Sequence, residues 1–213
     1  MKRFDIITES DARVLAPRET VILERGGHIT PLAQDTLRDR RVTVVHEGQT
    51  SPYDATLVPC ADIRSLAIAS DHTGVALRQA LAAFLRGRGL AVQDLGTDSK
   101  DPVDYPDMAA AVGRLVARGD VDAGIVIDAA GIGSAIAANK IPGVRAAMAT
   151  SEAIARYSRE HNGANVLTLG ATLISHDEAR VIVSTWLTTS MRDAKYIKRL
   201  AKIRDLERRP RDA

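Results

Sequence analysis

Three short stretches of this 213-residue chain hold the residue types that acid–base chemistry beside an anion requires: SDHTG at 70–74, DAAGIG at 128–133 and REHNGAN at 159–165. The first joins a carboxylate, Asp71, to an imidazole, His72. The last offers a second imidazole, His161, next to Asn162. The middle stretch, with Gly131 and Gly133, is a glycine-rich loop of the kind that holds an anion on backbone N–H groups at the start of a helix. Its corner residue is an acid, Asp128, followed by Ala129 and Ala130, so neither hydroxyl nor thiol stands at its mouth. Each stretch alone is a weak signal, because a lone histidine is more often structural and a glycine loop is often only a tight turn. Gathered on one sheet edge they make a site.

The elements that must gather them form a regular alternation. LAIAS (66–70), LAVQDLG, AGIVI, VRAAMA and VLTLG are short apolar runs, read as buried strands. Between them lie VALRQALAAFLRGRG and YPDMAAAVGRLVARGD, a short helix after the glycine loop, and SEAIARYSREHN; HDEARVIVSTWLT and a basic last segment follow. Strands alternating with helices predict an α/β fold, a five-stranded doubly wound parallel sheet of Rossmann-like type over 66–213. Ligands in such sheets sit beyond the carboxyl ends of the strands. The reading places all three stretches there.

Residues 1–48 read as a small N-terminal α+β module, and 49–65, with two prolines and little periodicity, as a linker. Thr8 with Asp11 three residues on predicts a capped helix. Gly26–Gly27 predicts a turn, and Thr30 with Pro31 the cap and first position of a second helix. TVILE and RVTVV are candidate strands.

Apolar residues make up 45% of the chain but aromatics only 3%, so the core must be aliphatic. Twenty-nine basic against 27 acidic residues leave a net charge of +2, which argues against a nucleic-acid partner. One cysteine, Cys60, allows no internal disulfide and fits a reducing compartment. With no secretory leader pattern and no long apolar run, a soluble cytoplasmic protein is expected. No Cys/His cluster has zinc-like spacing. His28 and His46 read as surface residues, His176 as a first-turn residue and Trp186 as core or interface.

Over 66–205 the sequence resembles the type B ribose-5-phosphate isomerases and galactose-6-phosphate isomerase subunits. IASDHTGVALRQAL, VQDLGT, VDYPDMAAAV, GIGSAIAANKIPGVRAA, SREHNGANVLTLGA and ARVIVSTWL carry the likeness, in the family's order and spacing. The resemblance implies an aldose–ketose isomerase acting on ribose 5-phosphate and ribulose 5-phosphate without metal or organic cofactor. Asp71 and His72 match a pair that contacts the sugar phosphate and helps open its ring. His161 matches the ring-opening histidine, with Asn162 beside it, and Tyr105 lies in a motif lining the site. Gly131 and Gly133 match the loop around the sugar end. Two arginines that reach the phosphate from the neighbouring subunit are here Lys195 and Arg199, which implies a homo-oligomer, at least a dimer, with shared sites. Lys for Arg keeps the charge and loses the bidentate fork.

The likeness breaks at the glycine loop. Type B isomerases begin it Cys-Gly-Thr-Gly, the thiolate moving the proton between C1 and C2; here the positions are Asp128, Ala129, Ala130 and Gly131. The spelling IDA is similar to one of the two galactose-6-phosphate isomerase subunits, whose unlike chains share their sites. Two readings of Asp128 stand side by side. It is the general base, a role for which an ordinary Asp, of pKa about 3.9, is weak. Or it caps the short helix that follows, and the chain is a non-catalytic or heteromeric partner subunit. The N-terminal stretch is similar to leaders on enzymes of bacterial microcompartments, which implies targeting or assembly; a packing extension that enlarges the oligomer interface is the other reading.

Overall fold

The computed structural model describes residues 2–46, 57–99, 101–191 and 193–208, and the chain divides into two units, Met1–Thr56 and Leu57–Ala213. The smaller unit runs β1 (Arg3–Ile7), α1 (Glu9–Val14), β2 (Thr20–Ile29), α2 (Pro31–Asp39) and β3 (Thr43–His46). Its strands are parallel in the order β1-β2-β3, so the unit is itself α/β and not the α+β module expected. The sequence reading leaves RFDII unassigned, and the helix between each pair of strands lets all three pair in parallel. The caps fall where the sequence puts them. Thr8 and Asp11 form a capping box on α1, and Thr30 caps α2 with Pro31 in its first turn. Ile7, Leu15, Val21, Leu23 and Leu37 close a small core between sheet and helices.

Gly26–Gly27 makes a bulge inside β2 instead of the expected turn. The β1–β2 register passes from Phe4↔Leu23 to Ile6↔His28, so β2 spends extra residues there. Gly26 has φ 84°, and a Cβ on Gly27 would lie 2.5 Å from the Asp5 carbonyl oxygen. Only glycine fits both positions.

The larger unit continues with β4 (Ser65–Ser70), α3 (Val75–Gly87), β5 (Ala91–Asp94), α4 (Tyr105–Arg118), β6 (Ala123–Asp128), α5 (Ile132–Ala138), β7 (Ala146–Met148), α6 (Glu152–Glu160), β8 (Val166–Gly170), α7 (His176–Thr188) and α8 (Ala194–Arg208). Its five strands are parallel, in the order β5-β4-β6-β8-β7. Strands β4, β6 and β8 are buried on both faces, which is why they read as unbroken apolar runs. On one face Leu66, Ile68, Ile125, Ile127, Leu167 and Leu169 meet the apolar stripes of α3, α6 and α7, including the fully buried Trp186. On the other, Ala67, Ala69, Val126 and Val166 meet α4 and α5. The small residues on that face let helices approach: a Cβ on Gly124 would lie 2.4 Å from Val112 Cγ1.

Residues 57–64, read from sequence as linker, pack on this unit. Leu57 and Ile63 are buried, and two guanidinium groups hold the segment. Arg145 Nη2 donates to the Leu57 carbonyl (3.2 Å) and Arg159 Nη2 to the Cys60 carbonyl (2.7 Å). Arg159 lies over the Trp186 ring, and burial pushes its guanidinium down to about 10. No helix of the described residues is long and apolar enough to cross a membrane.

Candidate functional site

Strand order reverses between β4 and β6, and the crevice beyond their carboxyl ends is the place such a sheet offers a ligand. The register Ser70↔Ile127 brings Asp71 and Asp128 side by side there. Asp71 is 5% exposed and its loop turns tightly: a Cβ on Gly74 would lie 2.7 Å from Ile127 Cγ2. Its Oδ1 accepts from the Thr73 N–H (2.9 Å), the Thr73 hydroxyl (2.6 Å) and the Gly74 N–H (3.3 Å). Among the described residues nothing donates to Oδ2. The neighbouring Ser70 hydroxyl is buried and has no partner among the described residues.

His72 accepts at Nδ1 from the Val103 N–H, 3.4 Å away. Two residues on, Tyr105 opens α4 and lays its ring against the glycine loop. A Cβ on Gly133 would lie 2.6 Å from Tyr105 Cζ, so the glycine is what admits the ring. Asp71, His72, Tyr105, Asp128, Gly131 and Gly133 thus share one end of the sheet, as the sequence predicts.

Asp128 is 5% exposed and fully engaged. Its Oδ1 accepts from the N–H groups of Ala130 (2.9 Å) and Gly131, and its Oδ2 from the N–H (2.8 Å) and hydroxyl (2.6 Å) of Ser134. A carboxylate has about four lone-pair positions, and all four have donors. The loop is also pinned to the end of β8. Thr168 Oγ1 donates to the Gly131 carbonyl and Thr172 Oγ1 to the Ala129 carbonyl, both at 2.7 Å. Gly131 itself has φ 77°, and its N–H is turned onto Asp128.

The third stretch is elsewhere. Because α6 runs back along the sheet, its end and the residues before β8 lie at the amino edge of the strands, opposite the crevice. The Gly124 N–H, at the start of β6, donates to the Asn165 carbonyl (3.0 Å). The expectation that all three stretches share the carboxyl edge is therefore corrected: the third precedes its strand. His161 caps α6 with its ring stacked between Tyr157 (centroids 4.8 Å apart) and Tyr196 of α8 (4.5 Å). Lys195 and Arg199 lie on the same tyrosine, 4.7 and 5.5 Å from its ring centre. Asp193, hydrogen-bonded to Lys195 at 2.8 Å, holds the ammonium above the usual lysine range. Asn162 Nδ2 donates to the Tyr157 carbonyl (3.1 Å) and borders a cavity of about 470 Å³ with Arg145, Ile203 and Glu207. His161, Asn162, Lys195 and Arg199 thus form a second, basic cluster. Among the described residues no group of His, Cys, Asp and Glu could hold a metal ion.

The sequence reading missed the two tyrosines and Ser134. Tyr157 was findable, since residues four apart on a helix are neighbours. Tyr196 was not, because its contact with His161 depends on how α8 folds back.

The sequence profile of the Ribose/Galactose Isomerase family matches residues 66–203. Ribose-5-phosphate isomerase B of Escherichia coli (strain K12) is 37% identical over 147 residues, 69% of this chain and 99% of that one. Among solved structures, the ribose-5-phosphate isomerase B of Clostridium thermocellum superposes with a TM-score of 0.66 at 45% identity, covering 67% of this chain and 97% of that one. That of Mycoplasma genitalium, solved with bound ribulose-5-phosphate, gives 0.67 at 36% identity, covering 68% and 97%. On the extent of these matches, with the same parallel sheet beneath them, the chain belongs to the ribose/galactose isomerase family.

Proposed function

We propose that this chain interconverts ribose 5-phosphate and ribulose 5-phosphate through an enediolate. The observation that carries the reading is the likeness, over nearly the whole of the Mycoplasma genitalium chain, to a structure holding ribulose-5-phosphate. In the proposed site, His161 and Asn162 assist ring opening, and His72, Lys195 and Arg199 hold the phosphate. Tyr105 and the loop through Gly131 and Gly133 enclose the sugar end. Neither metal nor organic cofactor takes part.

The two clusters lie at opposite edges of one sheet, so a sugar phosphate touching both must lie between two chains. The working unit is accordingly a homodimer or larger, each site taking Asp71, His72, Tyr105 and the glycine loop from one copy and the basic cluster from another. Exposed apolar side chains near both clusters, Ile132 and Ile136 on one side and Tyr157 and Ile203 on the other, support such burial.

Asp128 stands where the family resemblance puts a cysteine. Its four donors support the capping role over the role of general base. The same observation favours a second reading, a sugar-phosphate-binding subunit whose chemistry comes from a paralogous chain. The N-terminal unit has its own core and lies outside the family match, which supports an assembly or targeting role, in the cytoplasm or within a microcompartment. Turnover of ribose 5-phosphate by the purified chain, followed by NMR, tests the main reading. Binding without turnover favours the second.

A further inference from the structure

We infer that Asp71, through Oδ2, carries the proton between C1 and C2, and that Asp128 is a positioning residue that never takes it; this rests on the isomerase reading above. A general base needs a free lone pair within reach of the carbon-bound proton. Among the described residues, the candidates that the sequence and the sheet bring together here are Asp71, His72, Tyr105 and Asp128. Asp128 has no free lone pair, since each of its four positions holds a donor from its own loop. Releasing one would strand an N–H or hydroxyl in a buried place. His72 receives the Val103 N–H on Nδ1, so the proton of the neutral ring sits on Nε2 and the imidazole offers a donor. Tyr105 offers a phenol O–H, also a donor.

Asp71 alone fits. Three donors on Oδ1 fix the plane of the carboxylate and so the direction of Oδ2. Nothing among the described residues donates to Oδ2, although the residue is only 5% exposed. An oriented carboxylate oxygen with no donor among the described residues, on a side chain only 5% exposed and at the switch point, is the form a base takes before substrate arrives.

The step balances without a further reactant. Asp71 Oδ2 takes the hydrogen from C2 of the open-chain aldose. The C–H pair becomes the C1=C2 bond and the carbonyl pair moves to O1. The O2 proton passes to O1, C2=O forms, and Asp71 returns its proton to C1. Asp71 ends as it began, a carboxylate. Asp128 meanwhile holds the loop so that its remaining N–H groups face the enediolate.

Ribulose 5-phosphate tests this cleanly, because its phosphate occupies the oxygen needed to close a five-membered ring. Exchange of its C1 hydrogen in deuterated water therefore reports proton transfer without any ring step. The wild type is expected to exchange one C1 hydrogen. Asp71→Asn, whose amide oxygen can still accept the Thr73 donors, slows exchange about 10³-fold or more while retaining ribulose 5-phosphate binding. Asp71→Glu recovers part of the loss. Asp128→Asn loses less than Asp71→Asn and melts at a lower temperature. Wild-type exchange in Asp71→Asn, with only aldose formation lost, would overturn the proposal and leave Asp71 a ring-opening group. Abolished exchange in Asp128→Asn with an unchanged Tm would also overturn it. A wild type that neither exchanges nor interconverts the sugars removes the isomerase reading itself.

Discussion

The Ser134 hydroxyl donates to Asp128 Oδ2 at 2.6 Å, and the Ser134 N–H donates to the same oxygen at 2.8 Å. The carboxylate at the end of β6 is thereby tied to the first turn of α5, and the glycine loop is folded around its own acid. Removing the acid leaves buried donors without an acceptor, at about 1–3 kcal/mol for each. Asp128→Ala is expected to lower the urea midpoint of the larger unit markedly, and Ser134→Ala, which removes only the hydroxyl, to lower it less. Equal midpoints for wild type and Asp128→Ala would show the ties to be energetically idle.

Separation of the two clusters predicts rescue between inactive variants. Asp71→Asn and His161→Ala should each be inactive alone. Mixed, dissociated and reassociated, they should recover about a quarter of wild-type turnover, because random pairing gives half hybrid dimers, each with one intact site. No recovery after verified subunit exchange would place both residues in the same site of one chain.

Lys195 and Arg199 should act on substrate affinity more than on chemistry. Arg199→Ala and Lys195→Ala are expected to raise KM for ribose 5-phosphate about tenfold or more, with a smaller change in kcat. Lys195→Arg, which restores a bidentate fork, should lower KM. Steady-state kinetics decide. Since Asp193 holds the Lys195 ammonium above the usual lysine range, its charge persists further into alkali than that of a free lysine.

Acid should loosen the small N-terminal unit. Glu9, Asp11 and Glu19 are all held below their ordinary values of 4.5, 3.8 and 4.5, by Thr36, by Thr8 and by the Ala16 N–H respectively. A depressed carboxylate contributes stability that is present above its unfolded pKa and lost as pH falls through the folded one. Hydrogen exchange of Arg3–His46 in the full chain should accelerate as pH drops below about 4, once intrinsic rates are corrected. Corrected protection unchanged down to pH 2 would mean these hydrogen bonds carry no net stability.

Sequence and structure agree where local chemistry decides. Thr8, Thr30 and Pro31 announce their helices because a cap is a contact between near neighbours. The apolar runs of β4, β6 and β8 announce their strands because burial on both faces asks for an unbroken apolar run. Reading fails where a role depends on direction or distance. The motif around His161 carries no direction, so sequence alone assigns it to the carboxyl edge, and only the return path of α6 puts it on the amino edge. Gly26–Gly27 looked like a turn because a left-handed glycine and a glycine under a close carbonyl are spelled alike. Asp128 could be named, and both its roles foreseen, but the donors that fill it come from a loop whose curvature no spacing rule gives.

The placement of His161 and Asp71 at opposite edges of one sheet has a consequence for how such an enzyme is switched on. If each reaction centre needs two chains, specific activity rises with protein concentration until the pairs saturate. Dilution then disarms the catalyst without unfolding it or occupying any site. Crowding many copies together keeps it armed however scarce the chain is overall.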